Sequence, residues 1–241
     1  MKVTAVLPAY NAEKTLKMTV ADIPPGVVDE IILVDYASRD RTVEVARGLD
    51  LKVFLHKKNL GYGANQKTCF AEALAAGADI VVMVHPDYQY DPRAIPQLVE
   101  PIKEGRADAV FGSRMMKGGA LEGGMPRWKY NANIFLTALE NISFGVYLSE
   151  YHSGFRAYSA RALKAVNFKL NNNGFIFDTE IIVQLLLHNF KIEEIPIRTR
   201  YFDEASTIKF WPCVGYGLGI LKTILKYALH VRNILRFKQL E

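Results

Sequence analysis

Short apolar runs alternate with helical patterns along the first half of this 241-residue chain, and this alternation narrows the possible folds most. We expect β-strands rich in β-branched residues at Val3 to Pro8, Glu30 to Asp35, Lys52 to Leu55, Ile80 to His85 and Ala109 to Gly112. Apolar residues recur at helical spacing in the segments between them, at Ala12 to Asp22, Arg41 to Leu49, Asn65 to Ala76 and Pro92 to Glu104. Such alternation is typical of βαβ units and predicts an α/β fold with a doubly wound, mostly parallel sheet flanked by helices.

The regular alternation stops after Gly112. Two glycine-rich segments, at 117–119 and 123–126, predict a mobile loop before the next helix. The later elements that we expect are a helix from about Trp128 to Phe144, a helix from Asp178 to His188 and an extended stretch from Lys191 to Tyr201.

The chain closes with a long helical pattern from about Val214 to Phe237, in which leucines alternate with basic residues. The leucines are Leu218, Leu221, Leu225, Leu229 and Leu235, and the basic residues are Lys222, Lys226, Arg232, Arg236 and Lys238. This amphipathic C-terminal helix either lies on an anionic membrane surface or packs on the domain with its lysines in solvent. Amphipathicity alone does not distinguish the two.

The strand predicted at Ile80 to His85 leads directly into a cluster of polar side chains. Ligands bind beyond the carboxyl ends of the strands in open α/β sheets, so we expect Asp87 and Gln89 to project into a ligand cleft. Oxygen ligands at alternate positions suit Mg²⁺ or Mn²⁺. Alternatively, Asp87 is a turn or capping residue before a helix that begins at Asp91-Pro92.

Charge and composition narrow the partners without selecting one. The formal net charge is +5 and the pI is about 9.1, which favours an anionic partner such as a phosphorylated metabolite or an acidic lipid. The basic residues form no aromatic-interleaved patch, so we expect no nucleic acid partner. Cys69 and Cys213 lack metal-type spacing. No signal peptide or apolar run of roughly 20 residues is present, so we expect a cytoplasmic protein whose membrane contact is peripheral.

Five motifs follow one another along the chain with characteristic spacing. They are Leu7-Pro8-Ala9-Tyr10-Asn11-Ala12-Glu13, Val34-Asp35-Tyr36-Ala37-Ser38-Arg39-Asp40, Asp87-Tyr88-Gln89-Tyr90-Asp91-Pro92, Gly112-Ser113-Arg114 and Ser153-Gly154-Phe155-Arg156-Ala157. Together they resemble a family-two glycosyltransferase with the Rossmann-like GT-A fold, and the last two resemble the dolichyl-phosphate mannose synthase branch. The resemblance implies a GT-A domain over residues 1–210, with a nucleotide-sugar-binding half at 1–112 and an acceptor-binding half at 113–210. Residues 211–241 form the amphipathic helix.

The resemblance also implies a nucleotide-sugar donor, a GDP- or UDP-hexose, and the residues that bind it. These residues are Pro8, Tyr10, Asn11, Asp35, Asn59, Gly61, Gly63, Asp87 and Arg200. Tyr36 stands where the family commonly has a second acid. Arg200 and Lys209, near Ser206, lie in a segment that resembles the family's mobile flap. They either add positive charge at the donor phosphates or belong to a solvated basic strand.

The metal motif departs from the family pattern, which is Asp-x-Asp, because this chain has His85-Pro86-Asp87. The resemblance implies that Asp87 and Gln89 hold Mg²⁺ or Mn²⁺. A neutral His85 imidazole is an adequate ligand for Mn²⁺ and a poorer one for Mg²⁺, which prefers oxygen ligands. The alternative is that His85 is a hydrogen-bonded residue at the end of its strand.

Three residues, Arg114, Lys129 and Asn133, match positions that bind the acceptor phosphate in the dolichyl-phosphate mannose synthase branch. A polyprenyl phosphate is already an oxyanion at neutral pH, so its transfer needs cations that position it and no general base. A sugar-hydroxyl acceptor would instead need a carboxylate that removes its proton. Glu150 is the leading candidate for that base, and with a phosphate acceptor its role becomes positioning.

The catalytic residues that we expect are therefore Asp87, Arg114 and Glu150. Asp178 and Glu180 are further candidate acids. Alternatively, they lie at the start of a helix and complement its dipole. Three functions remain open. The first is an inverting, metal-dependent transfer of a hexose to a polyprenyl phosphate at the cytoplasmic membrane face. The second is transfer to a glycan or glycolipid hydroxyl. The third is nucleotide-sugar binding without catalysis, because His85 and Tyr36 stand where the family has acids.

Overall fold

A computed structural model describes residues 1–200 and 210–241 of the chain. Its strands are β1 (Val3–Ala9), β2 (Glu30–Asp35), β3 (Lys52–Leu55), β4 (Ile80–Met83), β5 (Ala109–Ser113), β6 (Arg156–Ser159) and β7 (Ile192–Pro196). The α-helices of the described residues are α1 (Leu16–Ala21), α2 (Thr42–Gly48), α3 (Tyr62–Ala75), α4 (Ile95–Lys103), α5 (Gly119–Glu122), α6 (Arg127–Phe144), α7 (Ala160–Ala165), α8 (Phe177–Leu187) and α9 (Phe210–Val231).

The seven strands form one sheet in the order β3-β2-β1-β4-β6-β5-β7. Only β6 runs antiparallel to its neighbours β4 and β5, and the other strand pairs of the described sheet are parallel. The predicted mostly parallel α/β sheet is therefore confirmed. The chain order reverses between β1 and β4, and ligands of open α/β sheets bind at the carboxyl ends of such a strand pair.

The two faces of the sheet belong to two hydrophobic clusters, and successive residues of β1 alternate between them. Val6 packs with Phe70 of α3 in one cluster, whereas Ala5 and Leu7 pack in the other with residues of α4 such as Leu98. This alternation follows from the two-residue repeat of a strand. Both faces are covered by helices, which explains why β1 and β4 are buried along their whole length.

The second half differs from the expectation in two places. The glycine-rich segment predicted as a loop contains a 3₁₀ turn at Met116–Gly118 and the short helix α5. A Cβ at Gly119 would lie 2.6 Å from the backbone oxygen of Ile197, so glycine allows this helix to pack on the chain after β7. The short strand β6 and helix α7 were not predicted, because four strand residues within a motif carry little periodic signal. The helix expected at Trp128 to Phe144 is confirmed as α6.

The last helix ends at Val231, six residues before the predicted boundary at Phe237. Asn233 has a left-handed backbone (φ 55°), and the N–H groups of Asn233 and Ile234 donate to the carbonyl oxygens of His230 and Leu229. These bonds are those of a Schellman motif, in which asparagine can replace glycine. The following chain turns back, and Leu240 is buried. Leu235, Arg236 and Lys238 therefore lie beyond the helix, which corrects the prediction.

Helix α9 packs on the domain through one face, with Ile220 and Thr223 buried, and exposes leucines on another. Leu218, Leu221 and Leu225 recur at helical spacing on the exposed side, at 64%, 49% and 60% accessibility. No helix within residues 1–200 and 210–241 combines the length and the apolarity that crossing a bilayer requires.

Candidate active site

A cavity of about 470 Å³ extends from the carboxyl ends of β1 and β4 to helices α6 and α9. Eight of the predicted site residues line it, namely Pro8, Tyr10, Asn11, Asp87, Gln89, Arg114, Lys129 and Asn133. The other predicted residues are not part of its lining, namely Asp35, Asn59, Gly61, Gly63, Glu150 and Arg200. The first strand tips and α6 thus line one cavity.

The backbone is strained where strands lead into the cavity. Asn11, Ala37 and Tyr88 follow β1, β2 and β4 and have φ values of 51°, 67° and 59°. A left-handed conformation costs a residue with a side chain about 1–3 kcal/mol, and such residues cluster at functional sites. The Asn11 side chain stabilises its turn by accepting a hydrogen bond from the backbone N–H of Arg39 at 2.9 Å.

Two aromatic rings line the cavity near the ends of β1 and β2, and the buried acid Asp35, outside the lining, precedes one of them in the chain. The rings of Tyr10 and Tyr36 stack with their centroids 5.0 Å apart. Burial raises the pKa of Tyr36 to about 12, and the charge of nearby Asp87 adds to this effect, so Tyr36 stays a neutral phenol. Asp35 is 2% exposed, and its Oδ2 accepts a hydrogen bond from the backbone of Ser38 at 3.0 Å. Its Oδ1 has no hydrogen-bond partner among the described residues.

Asp87 and Gln89 supply oxygen atoms at the centre of the cavity. The Asp87 carboxylate accepts a hydrogen bond from the backbone N–H of Gln89 at 3.1 Å, which fixes the turn between them. The part of the chain that the structure describes contains no group of three or more His, Cys, Asp or Glu side chains suited to a metal. A carboxylate and an amide oxygen fit Mg²⁺ or Mn²⁺, because such ions commonly complete their shells with substrate phosphates and water.

His85 lies in a cluster of aromatic and polar groups at the end of β4. Its Nε2 is 3.4 Å from the hydroxyl of Tyr62, and the two rings stack at 5.6 Å. Tyr62 in turn donates to Asp178 Oδ2 at 3.0 Å. A Cβ at Gly154 would lie 2.5 Å from His85 Nε2. The Ser-Gly-Phe-Arg motif therefore packs directly against the Nε2 side of the His85 ring. Burial lowers the pKa of His85, which favours the neutral ring. These contacts favour the interpretation of His85 as a hydrogen-bonded strand-end residue.

Glu150 is fully buried and holds two residues of the cavity lining, Arg114 and Asn133. Its carboxylate accepts hydrogen bonds from the backbone N–H of Arg114 at 2.7 Å, from Arg114 Nε at 2.8 Å and from Asn133 Nδ2 at 2.8 Å. Arg114 Nη2 also donates to Glu150 and to the carbonyl oxygen of His152. Burial raises the pKa of Glu150, but the charge and hydrogen bonds of Arg114 outweigh it and lower the pKa below its usual value. Glu150 is thus an ionised partner of Arg114.

The contacts of Arg156 explain the arginine of the Ser-Gly-Phe-Arg motif. The guanidinium group is buried and donates to the carbonyl oxygens of Ser153 and Tyr151, each at 2.6 Å. Its Nη1 lies 3.7 Å from Asp178 Oδ1. Through these bonds Arg156 fixes the backbone of residues 151–153, next to the cavity. Asp178 faces the cavity and also receives the hydrogen bond of Tyr62.

The glycines of the 59–66 segment serve local packing. Asn59 Oδ1 accepts a hydrogen bond from the backbone of Gly61, whose φ is 101°. A Cβ at Gly61 would meet the backbone oxygen of Asn173, and one at Gly63 would come within 2.8 Å of the Gly174 oxygen. Glycine at these two positions lets the start of α3 pack closely on the chain before α8.

Arg200 contacts the turn that contains Gln89. Its backbone N–H donates to the Gln89 carbonyl oxygen at 2.9 Å, and its guanidinium lies 4.5 Å from the centre of the Tyr88 ring. Its Nη2 is 3.6 Å from Asp91 Oδ2. The predicted contributions of Ser206 and Lys209 lie outside the described residues.

Several cavity residues were not predicted from the motifs. They include Lys14, Tyr62, Leu136, Phe175, Cys213 and Tyr216. Leu136 and Tyr216 lie on α6 and α9, where helical spacing gives no sign that one face borders a ligand. His152, which also lines the cavity, immediately precedes the Ser-Gly-Phe-Arg motif, and this proximity is a sequence signal that could indicate it.

Comparisons with known proteins agree with this geometry. Residues 4–166 match the model of glycosyl transferase family 2. The UDP-N-acetylglucosamine–dolichyl-phosphate N-acetylglucosaminyltransferase of Methanococcus voltae is 29% identical over 238 residues, which cover 92% of this chain and 94% of that protein. The undecaprenyl-phosphate mannosyltransferase of Micrococcus luteus is 27% identical over 207 residues, covering 82% and 83% of the two chains.

A solved structure shares the fold. Glucosyl-3-phosphoglycerate synthase from Mycobacterium tuberculosis, in complex with Mn²⁺ and UDP-glucose, superposes with a TM-score of 0.72 at 21% identity. The similarity covers 94% of this chain and 78% of that one. Sequence motifs, sheet order and family match lead to the same assignment: this chain belongs to glycosyl transferase family 2 and has the GT-A fold.

Proposed function

We propose that this glycosyltransferase is an inverting, metal-dependent enzyme that moves a hexose from a nucleotide-diphosphate sugar to a polyprenyl phosphate. The names of two relatives, a dolichyl-phosphate and an undecaprenyl-phosphate glycosyltransferase, support the acceptor class. The observation that carries the proposal is the state of Glu150. Its carboxylate is buried and engaged by Arg114 and Asn133, and it is not part of the cavity lining. These contacts suit a positioning role for the leading candidate base, and an acceptor that is already ionised needs no general base.

The reaction is a displacement at the anomeric carbon of the donor sugar. A phosphate oxygen of the acceptor attacks from the face opposite the nucleotide diphosphate, which inverts the configuration. Arg114 and Lys129 line the acceptor end of the cavity and attract the phosphate, and their charges relieve its repulsion with the donor diphosphate. Glu150, itself hydrogen-bonded by Asn133, keeps the Arg114 guanidinium in a fixed orientation, so its positive charge has a fixed place beside the phosphate.

Asp87 and Gln89 would hold the Mg²⁺ or Mn²⁺ ion, and Asp35 and Tyr10 would bind the nucleoside. When bound, the ion supplies Lewis-acid stabilisation of the leaving diphosphate. The unpartnered Asp35 Oδ1 suits a base N–H or a ribose hydroxyl, and the exposed ring of Tyr10 suits stacking. We assign donor binding to residues 1–112 and acceptor binding to residues 113–210, and residues of both halves line the one cavity.

The acceptor's lipid requires a place beside a membrane, and helices α6 and α9 suit that role. Phe135 and Ile142 on α6 are 68% and 82% exposed, and Leu218 and Leu225 are exposed on α9. Lys222 lies among the exposed leucines. An apolar face with basic residues around it binds anionic membranes from one side. We therefore propose peripheral attachment at the cytoplasmic membrane face.

Incubation with labelled UDP- and GDP-hexoses tests the proposed function. Polyprenyl phosphate and a set of saccharides are offered together, with Mg²⁺ or Mn²⁺ present. We expect label in the lipid-phosphate fraction and its loss with Arg114→Lys, because lysine cannot reproduce the paired contacts of Arg114 Nε and Nη2 with Glu150. Arg106→Lys is the matched control, because Arg106 is exposed and pairs with Glu104 away from the cavity. Label on saccharide hydroxyls alone would overturn the proposal, and donor binding without any turnover would favour a binding protein.

A further inference from the structure

A buried carboxyl group, an imidazole and a phenol form a chain behind the acceptor end of the cavity. Glu140 of α6 is fully buried, and its Oε1 accepts a hydrogen bond from the hydroxyl of Thr179 on α8 at 2.8 Å. Its Oε2 lies 3.4 Å from His152 Nε2. His152 Nδ1 lies 2.8 Å from the hydroxyl of Tyr216 on α9. Helices α6, α8 and α9 and the loop before β6 therefore meet at these four side chains.

The contact between Glu140 and His152 requires a proton. Neither Glu140 Oε2 nor His152 Nε2 has a hydrogen-bond partner elsewhere in the described part of the chain. Without a proton, two lone pairs would face each other in a site that is shielded from water, which is strongly unfavourable. Either the carboxylic acid donates to the ring, or the ring N–H donates to the carboxylate.

The surrounding groups decide where this proton lies at neutral pH. Burial raises the pKa of Glu140 to about 8, against the opposing effects of the Thr179 hydroxyl and the charge of Arg156 on β6. Burial lowers the pKa of His152 to about 3, the charge of Glu150 opposes this, and Arg114 and Arg156 reinforce it. Glu140 therefore holds the proton, and His152 is neutral.

The position of this proton sets the direction of every hydrogen bond in the chain. When Glu140 is protonated it donates to His152 Nε2, so the ring N–H is on Nδ1 and donates to the Tyr216 oxygen. The phenol proton then points away from the ring and is available to a ligand in the cavity that Tyr216 lines. When Glu140 is ionised the ring N–H moves to Nε2, and Nδ1 accepts the phenol proton instead. Tyr216 then offers a cavity ligand only lone pairs.

Tyr216 and His152 both line the cavity, together with the acceptor residues Arg114 and Lys129. The His152 carbonyl oxygen accepts a hydrogen bond from Arg114 Nη2 at 3.0 Å, so one residue contacts both the cation and the phenol. A phosphate oxyanion in the cavity is a strong hydrogen-bond acceptor and would accept the phenol proton.

We propose that Tyr216 donates a hydrogen bond to the acceptor phosphate, and that Glu140 and His152 are positioning residues that keep its hydroxyl in the donor orientation. This inference rests on the proposed function, because it assigns the acceptor phosphate to this end of the cavity. It adds a neutral donor on α9 to the cations Arg114 and Lys129. It also makes acceptor binding sensitive to a proton on a residue that the ligand never touches.

The test compares the KM for a soluble acceptor, farnesyl phosphate, between pH 7 and pH 9 in the wild type and in variants. Because Glu140 has a pKa of about 8, the wild-type KM should rise about tenfold over this range relative to Glu140→Gln. The glutamine amide donates to His152 Nε2 and accepts from Thr179 at every pH, so this variant keeps the donor orientation. The phosphate's own titration affects both proteins equally and cancels in the ratio.

Tyr216→Phe tests the donor directly. We expect its KM for farnesyl phosphate at pH 7 to rise at least about tenfold, as for a lost hydrogen bond to a charged group, while kcat changes little. The pH step seen against Glu140→Gln should also disappear. Tyr227→Phe on the same helix is the matched control, because Tyr227 packs on Phe144 and is not part of the cavity lining. It should keep the wild-type KM and the wild-type pH step.

The outcomes separate this inference from the proposed function. Equal pH profiles of the wild type and Glu140→Gln, or an unchanged KM in Tyr216→Phe, would overturn the inference while transfer to the phosphate acceptor persists. If the wild type neither binds nor glycosylates farnesyl or polyprenyl phosphate at pH 7, the proposed function fails instead. Should Glu140→Gln not fold, Tyr216→Phe alone decides, since it changes only the group that faces the cavity.

Discussion

Replacement of Glu150 by glutamine separates a positioning carboxylate from a general base. The change keeps the side chain's shape but removes its charge, and it turns one oxygen into an N–H₂ group that faces the donors of Arg114 and Asn133. Arg114 is left without its anionic partner while its side chain is only 12% exposed. Breaking a buried ion pair in this way costs about 3–5 kcal/mol of unfolding free energy.

A loss of this size lowers the melting temperature of a chain of this length by about 10 °C, and urea unfolding measures the free energy itself. In transfer assays we expect a higher KM for the phosphate acceptor, because Arg114 loses its orientation, and a kcat reduced by less than about tenfold. Glu100→Gln, an exposed carboxylate on α4, should change stability by less than about 0.5 kcal/mol. A kcat that falls about a hundredfold or more with unchanged stability would refute the reasoning, because that is the signature of a lost base.

Three further changes test other parts of the account. The pKa of Glu150 is below 4.5 in the folded protein, so its pairing stabilises the fold above about pH 4.5 and is lost as the pH falls through the lower folded value. The difference in unfolding free energy between the wild type and Glu150→Gln should shrink below pH 4, and a constant difference down to pH 3 would contradict this. Gly154→Ala brings a Cβ within 2.5 Å of His85 Nε2 and should lower the unfolding free energy by about 1–3 kcal/mol in urea titrations, so no measurable change would be evidence against the packing described. Leu218→Glu with Leu225→Glu should reduce sedimentation with anionic vesicles while transfer to farnesyl phosphate persists, and undiminished sedimentation would argue against α9 as the membrane face.

The residues at the strand tips of the cavity were predictable from sequence, because a local pattern and one topological rule suffice for them. Asp87 and Gln89 follow a buried strand, and Pro8 and Tyr10 lie at the end of another. Parallel neighbours bring their carboxyl ends to the same edge of the sheet, so β1 and β4 deliver these four residues to one cavity. Arg114 was located through the resemblance rather than through any pattern of its own.

Contacts between distant segments were not predictable from the sequence. Glu140, His152 and Tyr216 lie on α6, on a loop and on α9, and no local periodicity records that a loop will bridge two helices. The pairing of Glu150 with Arg114, 36 residues away in the chain, is likewise a contact that no local pattern predicts, and the sequence alone leaves open whether Glu150 is a base or a positioning group. The early end of α9 had a local signal in Asn233, a residue that tolerates the left-handed backbone, but the surrounding helical pattern was stronger.

The glycines illustrate how one residue type fits two explanations. Gly61 and Gly63 precede a helix, and close approach of a ligand to the backbone was the expectation from sequence. In the structure the space beside both is filled by the backbone of residues 172–174. Sequence indicates that something approaches closely at such a position, while only the fold tells which partner it is.

The most direct test of the central claim is the transfer rate of Asp87→Asn, measured with labelled donor and polyprenyl phosphate across a titration of Mg²⁺ and Mn²⁺. Asparagine retains the size of the side chain but lacks the charge that attracts a divalent ion. The account predicts that the variant loses transfer at least about a hundredfold at metal concentrations that saturate the wild type, and that it loses metal-dependent thermal stabilisation by the donor. Full transfer by Asp87→Asn, or by wild-type protein stripped with a chelator, would contradict it.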